Sequence, residues 1–313
     1  MKIYKNINEF HKLDHAAVTI GTFDGVHLGH QKIINRLQKL AKQAQAETVV
    51  LTFFPHPRMI LHPEDASMKL ISTMDEKAQL LERLGVDHLI ITPFTRDFSN
   101  LSPQAYIKNM LVDKIGMKQI VIGYDHRFGK DRQGGLAHLQ QYASVYGFEV
   151  EEISKQDIND VAVSSTKIRN ALLAGDVQMA SAFLGHPFSL AGKVIKGDQI
   201  GRKMGFPTAN LFIEENYKLI PSDGIYAVTA DIIHHDILKA PINGMAYIGH
   251  RPTVYGMTRN IEVNLFDFDA DVYGQTVRLN FTHFVRSDQR FDTLDDLRTQ
   301  LKADEVAIRA LLS

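Results

Sequence analysis

The chain reads as an α/β unit followed by an all-β unit: a parallel sheet with helices on both faces, then an antiparallel β-barrel ending in a C-terminal helix. Three observations predict this. Short apolar runs rich in β-branched residues alternate with helical patterns up to about residue 153, and repeated β-α-β of that kind calls for a buried parallel sheet. From Phe188 the rhythm changes to short strands with frequent Gly and Pro, as in a barrel. At 313 residues the chain has room for both units.

Ala16-Ala17-Val18-Thr19-Ile20 is the first core strand. After it Ile33, Ile34, Leu37, Leu40, Ala41 and Ala44 recur at three- and four-residue steps, which makes one apolar helix face. Thr48–Phe53 reads as a buried strand. A helix from Asp75 to Leu84 is stopped by Gly85. Strand His88–Thr92, a helix from Pro103 to about Lys114, strand Gln119–Gly123, a helix from about Leu136 to Tyr146 and strand Phe148–Ile153 complete the series. Ligands in such sheets bind beyond the carboxyl ends of the strands.

Two short helices follow, Ser165–Leu173 and Val177–Leu184, parted by Ala174-Gly175-Asp176. Gly185-His186-Pro187 marks a break, so the expected domains are 1–184 and 185–313. In the second, Ile225–Ala230, Asn260–Phe266 and Thr276–Phe281 are clear strands, and a charged helical tail runs from about Leu294 to Leu312.

Bulk properties exclude several classes. A net charge of −1 gives no reason to expect nucleic-acid binding. The absence of cysteine excludes a disulfide framework and thiol chemistry, and fits a cytoplasmic enzyme. The N-terminus lacks the apolar core of a signal peptide, and no apolar run approaches bilayer length, so no membrane partner is expected. The sequence leaves the oligomeric state open, a homo-oligomer included.

The most informative stretch is Gly21-Thr22-Phe23-Asp24-Gly25-Val26-His27-Leu28-Gly29-His30. A strand that ends in a Gly-rich turn and opens a helix is a ready anion site, with unpaired N–H groups and a positive dipole end. His27 and His30 share a face at the helix start and can hold a triphosphate. Gly21, Gly25 and Gly29 let backbone and nucleotide approach closely. Asp24 either orients the turn or contacts the ribose. The turn is neither a GxxxxGK[ST] nor a GxGxxG loop. Further on, Ser165 is a candidate N-cap for a helix starting at Thr166, with Arg169 on the same face as Thr166.

The second half carries its own pattern. Thr208 and Asn210 are two apart in extended chain, so their neutral oxygens point one way and suit a hard cation such as Mg²⁺. Glu262 lies on the strand face opposite Ile261 and Val263, where it either faces solvent or, in a cleft, can accept a proton. Gly192, Lys193, Lys196, Gly197, Gly201 and Arg202 form a basic, Gly-rich stretch suited to phosphates.

The first turn resembles the HxGH signature of nucleotidylyltransferases, and Ser164-Ser165-Thr166-Lys167-Ile168-Arg169 resembles their SSTxxR signature. Gly201-Arg202-Lys203-Met204-Gly205-Phe206-Pro207-Thr208-Ala209-Asn210 resembles the GRxxGFPTAN signature of riboflavin kinases. In this order, with Ile248-Gly249-His250-Arg251-Pro252-Thr253 and the Glu262 strand, they resemble the bacterial riboflavin kinase/FMN adenylyltransferase family over nearly the whole chain.

The resemblance implies a nucleotidylyltransferase-like sheet domain and a riboflavin kinase-like barrel. The barrel phosphorylates riboflavin to FMN, and the first domain adenylylates FMN with ATP to FAD, releasing pyrophosphate; both steps use Mg²⁺. It implies catalytic roles for His27, His30, Arg169 and Glu262. ATP for adenylylation falls to Gly21, Phe23, Asp24, Gly25, His27, Gly29, His30, Ser165, Thr166 and Arg169. Flavin falls to Phe54 and His56 of the Phe54-Pro55-His56-Pro57-Arg58 loop, and to Asp125 and Phe128 of Gly123-Tyr124-Asp125-His126-Arg127-Phe128-Gly129. His126 stands where the family often has Phe. In the barrel, ATP falls to Gly192, Lys193, Lys196, Gly201, Arg202, Thr208 and Asn210, with Thr208 and Asn210 also on the metal. The rival readings are a single-activity nucleotidylyltransferase with an accessory barrel, and a flavin-binding regulator.

Overall fold

A computed structural model describes residues 1–65, 67–154, 163–197, 201, 205–233, 241–253 and 256–313, with backbone alone at 251–253 and 256–258. Arg202, expected among the ATP ligands, lies outside the described residues. The chain divides into two compact units, Met1–Ser165 and Thr166–Ser313.

The first unit is built on a six-stranded parallel sheet. Its strands are β1 (Lys2–Tyr4), β2 (Ala16–Ile20), β3 (Glu47–Phe54), β4 (His88–Pro93), β5 (Met117–Gly123) and β6 (Glu149–Ile153), in the order β1-β4-β3-β2-β5-β6. The strands split their side chains between two cores by the period of two. Val18, Ile20, Val49, Leu51, Ile90, Ile120 and Ile122 face one core; Ala17, Val50, Leu89 and Val121 face the other side.

Helices cover both faces. Helix α1 (Leu28–Ala44) buries Ile34, Leu37 and Ala41 on one side, where α2 (Met74–Arg83) adds Ala78 and Leu81. Each fully buried Leu or Ile contributes about 1.5–3 kcal/mol. On the opposite side lie α3 (Tyr106–Ile115), through Ile107, Leu111 and Ile115, and α4 (Leu136–Tyr146), through Leu139. The α-helix expected from Pro103 is one α-turn, Pro103–Ala105, that widens into a π-helix at α3.

The second unit begins with α5 (Ser165–Leu173, whose first residue closes the first unit) and α6 (Val177–Leu184). Both stand at the sequence-expected positions, but the compact division falls after Ser165, ahead of the expected boundary at 184. Packing is the reason: α6 lies against the barrel, its Ser181 Oγ accepting the Phe188 amide at 3.1 Å. The closed antiparallel barrel is formed by β7 (Phe188–Ile195), β8 (Ala209–Phe212), β9 (Gly224–Ile232), β10 (Ile242–Thr253), β11 (Gly256–Leu265) and β12 (Thr276–Arg286), in the order β10-β11-β8-β7-β12-β9. Helix α7 (Leu294–Leu311) closes one side by burying Ile308 against Ile225, Ala227, Met245 and Phe266.

Candidate functional site

Strand β2 ends where the strand order reverses: β3 and β4 lie to one side, β5 and β6 to the other. Crevices beyond strand ends at such a point bind ligands. The chain leaves β2 through three left-handed residues, Phe23 (φ 45°), Gly25 (φ 79°) and Val26 (φ 41°). Gly25 adopts this at little cost; Phe23 and Val26 are held there by burial. Asp24 orients the turn. It is 1% exposed, and its Oδ1 accepts the Ile71 and Ser72 amides at 2.9 and 3.2 Å. Ser72 Oγ in turn accepts the Gly25 amide at 3.1 Å.

His27 is the N-cap of α1, and its Nδ1 accepts the His30 amide at 3.3 Å. An accepting Nδ1 carries no proton, so the neutral ring bears it on Nε2, as a donor. The His27 and His30 rings stack, centroids 3.6 Å apart and 14° from parallel. Burial pushes His30 well below the usual imidazole range, and neighbouring His27 and Lys77 push it further. His30 Nδ1 is buried with no hydrogen-bond partner among the described residues. The site therefore offers a stacked imidazole pair at a helix start, with His30 held towards its uncharged form, a set that can bind phosphate oxygens by hydrogen bonding.

The other expected residues of this unit divide. Ser165 is the first residue of α5 rather than its N-cap; its hydroxyl donates to the Asp24 carbonyl at 3.3 Å. Thr166 and Arg169 belong to the second compact unit, Thr166 exposed and Arg169 half-buried. Phe54 ends β3, and His56 caps the short helix Pro57–Leu61, its Nδ1 accepting the Arg58 amide at 3.2 Å. Asp125 is exposed just beyond β5. Phe128 is taken into the core, stacked on Tyr106 at 5.1 Å, so it does not present an open face. His126 is held neutral, pushed down to about 4 mainly by burial, and its Nε2 is buried without a described partner.

In the barrel the fold brings three expected residues together. Asn210 of β8 stands directly opposite Glu262 of β11, and Thr208 Oγ1 donates to Glu262 Oε2 at 3.2 Å. Asn264, two residues on along the same face as Glu262, donates to the Pro207 carbonyl at 2.7 Å and holds the Pro-Thr-Ala-Asn segment. The glycines are required by proximity: a Cβ at Gly201 would strike the Phe206 carbonyl, and one at Gly197 the Asn210 amide. Lys193 and Lys196 are exposed at the end of β7, and Gly192 packs under Phe212 and Ile213.

The family model described as FAD synthetase matches residues 9–167, and that described as Riboflavin kinase matches residues 184–312. A bifunctional riboflavin kinase/FMN adenylyltransferase of Listeria monocytogenes is 37% identical, covering 95% of this chain and 92% of the relative. The protein of that name from Escherichia coli K12 is 35% identical, covering 97% of each. This chain belongs to the riboflavin kinase/FMN adenylyltransferase family.

A crystal structure titled a macrolide-efflux protein from Streptococcus pneumoniae shares the architecture, with a TM-score of 0.87 and 32% identity over 98% of each chain. No described helix of this chain is long and apolar enough to cross a membrane. Within the riboflavin kinase/FMN adenylyltransferase frame, sequence reasoning missed Ile71, Ser72, Lys77 and Asn264. Ile71, Ser72 and Lys77 belong to no motif quoted above, and Asn264, on the Glu262 strand, was given no role of its own. Ile71 and Ser72 act through backbone amides and a hydroxyl, and Lys77 reads as an ordinary polar position in a helix.

Proposed function

We propose that the two activities divide between the two candidate sites, with the barrel converting riboflavin and ATP to FMN and ADP and the His27–His30 turn converting FMN and ATP to FAD and pyrophosphate. The chain is an FAD-forming enzyme with both domains of the family. The observation that carries the division is the convergence of Thr208, Asn210 and Glu262 on one barrel face, in a unit that does not contain the imidazole pair.

In the barrel, Glu262 takes the proton of the riboflavin 5′-hydroxyl as that oxygen attacks the γ-phosphorus and ADP leaves. Thr208 gives its own hydrogen to Glu262, leaving its oxygen lone pairs for a cation. The oxygen donors of Thr208 and Asn210 fit Mg²⁺, which favours oxygen and keeps phosphate and water ligands. Mg²⁺ would neutralise charge on the transferred phosphate. Gly192, Lys193, Lys196, Gly201 and Arg202 are assigned to the ATP phosphates.

In the first unit, an FMN phosphate oxygen attacks the α-phosphorus. The nucleophile is already ionised, so the residues position groups and stabilise charge, with no base required. Nε2–H of His27 and the start of α1 serve the α- and β-phosphates. Thr166 and Arg169 serve the departing pyrophosphate, so the functional adenylyltransferase domain runs to residue 184 although α5 and α6 pack with the barrel. Phe54, His56 and Asp125 are assigned to the flavin side. The enzyme works in the cytoplasm on riboflavin, FMN and ATP, without nucleic-acid or membrane partners.

The test is incubation of the full chain with riboflavin and Mg-ATP, with chromatography of the flavins. FMN followed by FAD is expected, with loss of both in EDTA and recovery on adding Mg²⁺. No FMN from riboflavin overturns the kinase half, and no FAD from supplied FMN overturns the other.

A further inference from the structure

The barrel face on which α7 packs carries one row of paired side chains across four strands. Asn210 of β8 stands opposite Glu262 of β11, Glu262 opposite Tyr247 of β10, and Tyr247 opposite Ile225 of β9. Residues paired directly across antiparallel strands share a face, with Cβ atoms about 5 Å apart. Thr208 and Asn210 therefore lie to one side of Glu262, and Tyr247 to the other. The Tyr247 ring is held in place. Partly buried, it packs against the cluster of Ile225, Met245, Phe266 and Ile308. It runs along β10 over Gly249, where a Cβ would strike its hydroxyl, and that hydroxyl donates to Asp288 Oδ2 at 3.1 Å. Gly249 pairs with Asn260, two residues from Glu262 on the same strand face. Asp288 follows Arg286, whose guanidinium binds both oxygens of Asp304 of α7, 3% exposed, at 2.7–3.1 Å. That buried ion pair anchors the end of β12, from which Asp288 reaches Tyr247.

We propose that Tyr247 forms the acceptor wall of the kinase site, its ring packing on the ribityl chain and the near edge of the isoalloxazine so that the primary hydroxyl meets Glu262. This rests on the reading of the barrel as the riboflavin-phosphorylating unit. The row of pairs fixes the side. The nucleotide phosphates come to the cation held by Thr208 and Asn210. In an in-line transfer the attacking and leaving oxygens lie on opposite sides of the γ-phosphorus. The body of the alcohol therefore extends from Glu262 away from those two residues, towards Tyr247. A ring already fixed by its hydroxyl and its packing loses little freedom when a ligand settles on it. Its face suits a planar heterocycle.

The test uses the full chain and initial rates of FMN formation at varied riboflavin and at varied ATP. In Tyr247→Ala, KM for riboflavin should rise about 10-fold or more, and KM for ATP should stay within about twofold of wild type. Tyr247→Phe keeps the ring and loses only the bond to Asp288, so its KM for riboflavin should rise less than in Tyr247→Ala. FAD formation from supplied FMN reports the first unit and should be unchanged in both.

A wild-type KM for riboflavin in Tyr247→Ala overturns the proposal, as does an equal rise in KM for riboflavin and ATP, which marks a structural role. If Tyr247→Ala fails to fold, the wild-type chain still decides. With tyrosine rings isotopically labelled and riboflavin saturating, NMR should show contacts between the Tyr247 ring and the flavin, the Tyr247 signal being identified by its loss in Tyr247→Phe. Absence of those contacts overturns the proposal. Absence of FMN formation in the wild-type chain instead overturns the riboflavin-phosphorylating reading itself.

Discussion

Asn210 and Glu262 face each other across the β8–β11 ladder, 52 positions apart by residue number, and Thr208 closes the group with its bond to Glu262. The pairing puts the carboxylate beside the two cation-ready oxygens. On the proposed division, Glu262 is the base of the first reaction and takes no part in the second.

Glu262→Gln should therefore lower FMN formation by about 10²–10⁴-fold, the usual worth of a general base. FAD formation from supplied FMN should stay within twofold of wild type. Steady-state rates with riboflavin and with FMN as separate substrates check both halves.

The imidazole pair predicts the reverse phenotype. With His27→Ala and His30→Ala combined, FMN should accumulate and FAD formation should fall by about 10²-fold or more. His27→Asn separates two duties of one residue, since Asn can still cap α1. It should retain the wild-type urea midpoint and lose adenylylation, measured by unfolding curves alongside pyrophosphate release.

Gly201→Ala pushes a methyl group into the Phe206 carbonyl. The loop over Thr208 must shift, so KM for ATP in FMN formation should rise severalfold while FAD formation from FMN is unchanged. Initial-rate kinetics at varied ATP test this.

Asp24→Ala leaves the buried Ile71 and Ser72 amides without their acceptor. Loss of hydrogen bonds to a charged group costs about 1.5–3 kcal/mol each. Urea unfolding followed by hydrogen exchange in β2 and α1 should show the first unit destabilised on that scale, with the barrel unaffected.

His126 supplies a pH dependence. Burial lowers its folded value to about 4, against an unfolded value near 6.5. Between these the unfolded chain binds more protons, so stability is complete above about pH 6.5 and is lost as pH falls towards 4. Arg127 and Arg132 act in the same direction as burial, and Asp125 opposes them. His126→Phe should flatten this slope in thermal unfolding curves recorded across the range. A slope unchanged from wild type would show that other groups carry it.

Much of this was legible because the signals are local. The apolar stripe through Ile34, Leu37 and Ala41 gives α1, and the alternation about Glu262 gives its strand face. Helices α4, α5 and α6 stand at their expected positions because Gly147, Ala174-Gly175-Asp176 and Gly185 end or part them. β1 and β8 escape periodicity for want of length: three and four residues show no pattern, and partners far along the chain create them. The widening of α3 into a π-helix has no sequence signal that we can name.

By itself the sequence determined the two architectures and offered the glycine-rich turn at the end of β2 and the candidate residues for the chemistry. All of these rest on contacts within a few residues. Only the tertiary structure decided that Asp24 serves the turn, that Phe128 belongs to the core and that Ser165 bonds the Asp24 carbonyl. Those relationships join positions distant in the chain. Each depends on which way a side chain points once burial has chosen its side, a choice that residue type and spacing leave open.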